Sequence, residues 1–264
     1  MPRTASFSSA LRPVSRLLRR LPLIRRAVPS SWRHYRLCHL LWGLLCAYLL
    51  WNLWILGYVI SLNWLNPDMT SFMSEQLERL QDDDPAAQLR YQWVPYEKIS
   101  RHAKRALLVA EDARFSEHDG FDWAGMRYAW QKNLKKGHIV AGGSTISQQL
   151  AKNLFLSASR TPWRKAEEAL ITVMLESFLD KQRIFELYLN VIEWGNGLFG
   201  IEAASRKYFH VHASQLSASQ AAYLAAMVTN PRYYQLHRND RHLLHKAGVI
   251  MQRMRSADLP TDAD

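Results

Sequence analysis

Apolar positions along this chain fall into two regimes. From Leu37 to Leu65 they are nearly continuous, and no Asp, Glu, Lys or Arg interrupts them. As a helix, Leu40–Leu62 spans about 35 Å, enough to cross the ~30 Å hydrocarbon core of a bilayer. Trp42, Trp51, Trp54 and Trp64 add interfacial aromatic character. A cleaved signal peptide has a shorter apolar run and small residues at a cleavage site, which this segment lacks. A buried core helix keeps one polar face. The segment therefore reads as a single transmembrane helix, ended by the turn chemistry of Asn66-Pro67-Asp68.

Beyond it the apolar period becomes helical. Residues 66–90 read as a linker or peripheral helix with a loop at Asp82-Asp83-Asp84-Pro85, and Tyr91–Pro95 as a short extended piece. Ile99, Ala103, Ala106, Leu107 and Ala110 recur every three or four residues and give one apolar face. Further helices are expected over Trp123–Leu134, Ser144–Leu154, Pro162–Asn190 with a break near Asp180, Ile201–Phe209, Ser217–Thr229 and Arg241–Arg255. Strand-like alternation is scarce. Residues 91–264 thus read as one mainly α domain with a single core.

Charge sharpens the picture. The formal net charge of +11 first suggests nucleic acid, but nine of the 34 Lys and Arg residues lie in residues 1–36, which hold no acid. The rest is nearly neutral, with 25 bases against 23 acids. A basic tail before a membrane span is a topology signal that also suits anionic lipid. It places the N-terminus in the cytoplasm and, in a bacterium, residues from about Pro67 onward in the periplasm or outside. Cys38 and Cys46 alone exclude a disulfide scaffold or a thiolate zinc site, and the histidines near the C-terminal end have no zinc-like spacing.

Three stretches could carry chemistry. In Glu111–Gly120 two acids end an apolar helix, where burial can tune a general base. They could instead solvate the helix end, although acids at a helix C-terminus oppose its dipole. In Gly142–Asn153 a glycine pair precedes a capped helix start suited to an anion, with Gln148, Gln149, Lys152 and Asn153 as further donors; an ordinary capped helix is the plainer reading. In Trp163–Glu168, Arg164 and Glu168 share a helix face and two cations suit a diphosphate, or form surface ion pairs. The aromatic, basic stretch from Trp123 to Lys136 suits a membrane surface and a core-facing helix about equally.

Taken in order, these segments closely resemble the family 51 glycosyltransferases, the peptidoglycan polymerases. Glu111–Gly120 matches ED-x-x-F-x-x-H-x-G; Gly142–Asn153 matches GGST-x-S-QQL-x-K-N; Arg164–Glu168 matches RK-x-x-E. Lys181–Asn190 with Gly195, Gly197, Gly200-Ile201 and Tyr208-Phe209 matches a fourth motif, and Leu216–Pro231 a fifth, in which Gln220 replaces the usual Glu. The match spans roughly residues 90–235. The chain has no S-x-x-K or K-T-G transpeptidase motif, so it resembles the monofunctional members.

The resemblance implies a lysozyme-like α-helical domain with a smaller membrane-facing lobe, to which residues about 122–140 contribute. It implies polymerisation of lipid II, the undecaprenyl-diphosphate-linked chain passing to the GlcNAc 4-hydroxyl of lipid II with inversion. Glu111 becomes the base. Glu168, with Lys152, Arg164 and Lys165, manages the diphosphate, with room for a divalent cation (Mg or Mn). Asp112, Ser144, Thr145, Gln148, Gln149 and Asn153 become substrate ligands, and Phe115 and His118 shape the site. The implied partners are lipid II, the lipid-linked glycan and the inner membrane, with cell-division or elongation proteins as further candidates and no nucleic acid. Moenomycin is the implied inhibitor. A lysozyme-like hydrolase and an inactive precursor-binding scaffold are the rivals, and lipid II turnover separates them.

Overall fold

The computed structural model describes residues 30–138, 142–157, 159 and 161–260, which fall into two compact units meeting at Asn52/Leu53. Helix α1 (Ser30–Ser61) runs through the boundary and contains a candidate membrane span, Leu37–Ser61, of mean hydropathy 1.8. In the first unit its leucines and tryptophans, from Leu37 to Trp51, are exposed, as a helix apolar on all sides must be unless something apolar surrounds it.

The second unit holds every other element. The last turns of α1 join its core through Ile55 and Val59, and Tyr58 meets Phe155 edge-on. Helix α2 (Ser71–Asp83) starts at Thr70, whose side chain accepts from the Met73 amide, and it buries Met73 and Gln76. The segment read as a linker or peripheral helix thus supplies a helix packed against the domain. α3 (Arg101–Glu111), α4 (Trp123–Lys136), α5 (Ile146–Phe155), α6 (Pro162–Phe178) and α7 (Lys181–Val191) follow, with β1 (Arg90–Tyr91) before them. Asp180 caps α7 and accounts for the expected break.

β2 (Glu193–Gly195) and β3 (Leu198–Phe199) complete a small sheet of order β1-β3-β2. β1 pairs parallel to β3, Arg90 opposite Leu198, and β2 pairs antiparallel to it. α8 (Ile201–Phe209), α9 (Ala218–Met227), α10 (Pro231–Leu236) and α11 (Arg241–Arg253) close the chain. The mainly α class expected from the pattern is what the chain adopts.

Two features of this packing set up the site. α5 is central: Ile146, Leu150, Ala151 and Leu154 are buried, and it packs on α2, α6 and α7. α3 lies against α9 and α11; the buried Ala103 and Ala106 on α3 and Ala221, Ala222, Ala225 and Ala226 on α9 leave little side-chain bulk between the two axes. Burial of leucine-sized side chains at these contacts is worth about 1.5–3 kcal/mol each. Gly120 has φ +86°, and a Cβ there would meet Thr172 Cγ2 at 2.8 Å, so the turn after α3 admits only glycine.

Candidate active site

The site is built where α3 ends and α5 begins. Glu111 is the last residue of α3 and Asp112 its C-cap. Asp112 escapes the unfavourable end of the α3 dipole by serving a different helix: its Oδ2 accepts the Ile146 amide of α5 at 3.1 Å. His118 Nε2 contacts both its oxygens at 3.1 Å. Thr145 caps the same helix in a reciprocal capping box with Gln148 and donates to Gly120 O at 2.7 Å. Two loops distant in sequence are thereby locked to one helix start.

Glu111 is largely withdrawn from water, its side chain 14% exposed. Its Oε2 accepts from Gln149 Nε2 at 3.0 Å, while Gln149 Oε1 accepts from the Tyr188 hydroxyl at 3.2 Å. The Tyr188 hydroxyl, itself pushed well up by burial, fixes which end of the Gln149 amide faces Glu111. Burial raises the Glu111 carboxyl above the ordinary carboxylate value; Lys246 first, then the Gln149 bond, pull it back down.

Glu168, on α6, is buried and gripped by Arg164 Nη1 at 2.7 Å and by Lys165 Nζ. Both cations come from the same face of α6, three and four residues earlier. Lys152 of α5 has its amine pushed down by desolvation, partly offset by Glu168.

Two cavities open on these groups. One, of about 560 Å³, is lined by Glu111, Asp112, Arg114, Asp122, Ser144 and Thr145 among others. The other, of about 450 Å³, is lined by five cationic side chains, Arg79, Lys152, Arg164, Lys165 and Arg232, with Glu168 and Glu193 as its acids. Ser144 borders both, and Gln149 lines the second while holding Glu111 of the first. The two acids thus stand in adjoining cavities with a common wall.

A sequence model described as "Transglycosylase" matches residues 76–255. The chain is 66% identical over 218 residues to the biosynthetic peptidoglycan transglycosylase of Chromobacterium violaceum, covering 83% of this chain and 96% of that one. It is 63% identical, over the same shares, to the protein of that name from Laribacter hongkongensis. The one from Dechloromonas aromatica is 57% identical over 221 residues, 84% of this chain and 96% of the relative. This chain belongs to the transglycosylase family.

Against that membership, the sequence-derived residues of this transglycosylase separate into two groups. Glu111, Asp112, Ser144, Thr145, Gln148, Gln149, Lys152, Arg164, Lys165 and Glu168 line one or both cavities. Phe115, His118 and Asn153 stand behind the walls: Phe115 packs on Phe185, His118 braces Asp112, and Asn153 donates to Gln149 O at 2.8 Å. Sequence reasoning missed Arg79 and Gln76, which lay in the segment read as a linker or peripheral helix. It also missed Glu193 and Arg232, paired at 2.8 Å, and Lys246. Burial pushes the Glu193 carboxyl up, and Arg232 counters it. Among the described residues no group of three or more His, Cys, Asp and Glu side chains could hold a metal ion. Glu168 is already committed to two cations, Arg164 and Lys165.

Proposed function

We propose that this transglycosylase polymerises lipid II, moving the undecaprenyl-diphosphate-linked glycan onto the GlcNAc 4-hydroxyl of an incoming lipid II with inversion at the anomeric carbon. Inversion demands a proton acceptor on one face of the sugar and charge stabilisation of the leaving group on the other. The observation that carries the reading is the pair of adjoining cavities, one holding the largely withdrawn Glu111 carboxylate and one lined by five cations, with Ser144 between them.

In this reading the acceptor hydroxyl enters beside Glu111, which takes its proton as oxygen attacks the anomeric carbon; the C–O bond to the diphosphate breaks, and its charge settles among Lys152, Arg164 and Lys165. Glu168 positions the last two by holding both on one helix face. Arg164 Nε is buried and without a partner among the described residues, a donor that a phosphate oxygen would satisfy. A lysozyme-like hydrolase has no use for such a cation cluster. Thr145, Gln148, Gln149, Asp112 and Ser144 shape the walls around the sugars.

The same reading puts the enzyme in the bacterial inner membrane through α1, N-terminus in the cytoplasm and catalytic domain in the periplasm, near both lipid-linked substrates. On α4, Trp123, Tyr128, Trp130 and Leu134 are all more than 60% exposed and fit contact with the bilayer interface. The test is polymerisation of labelled lipid II in detergent, read by gel. Glu111→Gln lowers the rate by about 10²–10⁴, the usual worth of a general base, with unchanged far-UV circular dichroism. Near-normal polymer from that variant would remove Glu111 from the role.

A further inference from the structure

Lys246 lies on α11, outside every motif that the sequence offers, yet its ammonium sits 4.0 Å from Glu111 Oε1, the oxygen that Gln149 leaves free. Its Nζ is tethered by the hydroxyl of Thr229, a cavity-lining residue between α9 and α10. We propose that Lys246 is a positioning residue for the proton acceptor: it keeps the half-buried Glu111 ionised, and so able to accept a proton, in the enzyme's working pH range. The inference rests on the reading of Glu111 as the base.

The surroundings of Glu111 single out this lysine. Its own helix end supplies Asp112, whose negative charge opposes ionisation. α7 supplies the Tyr188 hydroxyl, which stays protonated and reaches Glu111 only through Gln149. α9 packs along α3 with alanines, Leu224 and Met227 as its buried residues, and Arg255, in the turn Met254–Ser256 that also packs on α3, is exposed. α5 supplies Gln149, a neutral donor, and Lys152, a cation facing Glu168 whose amine is pushed down by desolvation. Lys246 is 34% exposed at its side chain, so water still reaches the ammonium while it faces a carboxylate that water barely reaches. An opposite charge within about 4–6 Å moves a carboxyl by about 1–3 pH units. Without it, burial and the Asp112 charge push the Glu111 carboxyl further up, opposed only by the Gln149 bond and the more distant Lys152.

The experiment uses the full chain in detergent and compares wild type with Lys246→Met, Lys246→Arg and Thr229→Val. Two quantities are read: the pH profile of kcat/KM with labelled lipid II, and the carboxyl titration of Glu111 by difference infrared spectroscopy, its band assigned by subtracting Glu111→Gln. Lys246→Met moves the acidic limb up by about one pH unit, a tenfold loss of rate on that limb, while the alkaline plateau holds within a few fold. The Glu111 band moves with it. Lys246→Arg restores both, and Thr229→Val, which frees the tether and keeps the charge, shifts both the same way by less. A limb and band that stay in place in Lys246→Met overturn the proposal, as does a loss equal at every pH. A band that moves while the limb does not keeps the charge coupling and overturns the base reading, so the two failures are told apart.

Discussion

A carboxyl group withdrawn from water raises two demands at once, since the burial that makes Glu111 a stronger base also makes its charge costly to the fold. Its folded-state value lies above the ordinary one, so the stability it contributes is fully present below about pH 4.5 and is lost as pH rises through the folded value. Removing the charge should therefore stabilise the protein: Glu111→Gln melts higher than wild type at pH 8, and the gap closes below pH 4.5, as thermal scans across that range would record. A gap that is constant with pH would mean that Glu111 bears no desolvation cost. Catalysis carries the opposite sign, the wild-type rate falling as acid protonates the base. At this scale Glu111 was legible in the sequence because two acids at the end of an apolar helix have no good structural excuse. Asp112 was legible as the second acid of that helix end; its partner, the Ile146 amide, is set by packing and was not. Lys246 was invisible, because nothing in Arg241–Arg253 distinguishes the cation that points at Glu111 from exposed ones such as Arg241 and Arg253.

Among the helices, α5 does most to assemble the site, since its first turn fastens the loops after α3 and before α5 while its sides carry Gln149 and Lys152. Thr145→Val tests that fastening. The variant loses the cap to the Gln148 amide and leaves Gly120 O without its donor, and it should cost about 1–2 kcal/mol in urea unfolding, the upper part of the range for a lost cap. A change within 0.5 kcal/mol would show that the capping box does not hold the helix start. Most helices were readable because their apolar faces repeat every three to four residues; ends moved by one or two residues where caps such as Thr145, Asp180 and Ser217 set the true start. α10 escaped because it has six residues and none is buried, so it writes no apolar face. The sheet escaped because strands of two or three residues are too short to show alternation. α2 was seen as a helix, but its contribution of Phe72, Gln76 and Arg79 to a cavity wall comes from tertiary packing that a polar 13-residue pattern does not encode.

For the molecule as a whole, the first three motifs and the end of the fifth reach the walls of two neighbouring cavities, while the fourth, Lys181–Asn190, lies behind them in the core. The distribution of charge was plain: nine arginines and no acid precede a span that carries no charge from Leu37 to Leu65. Positive flanks resist translocation, and the helix offers length enough for one crossing. The expectation is a single-pass topology with the tail inside and the catalytic unit outside. It can be checked by replacing Cys38 and Cys46 with serine and installing one cysteine at a time, Ser8→Cys in the tail and Ser256→Cys in the exposed turn after α11. In intact spheroplasts a membrane-impermeant maleimide labels Ser256→Cys and spares Ser8→Cys, and both react once detergent is added. Charge reversal supplies the converse. If the arginines set orientation, replacing those nearest the span, Arg25, Arg26, Arg33 and Arg36, with neutral residues and adding lysines just after Pro67 should bring part of the population into the inverted form, seen as labelling at Ser8→Cys and a matching loss of lipid II polymer in vesicles. Unchanged labelling in that variant would mean that the folded catalytic unit, rather than the basic tail, decides which way the helix inserts.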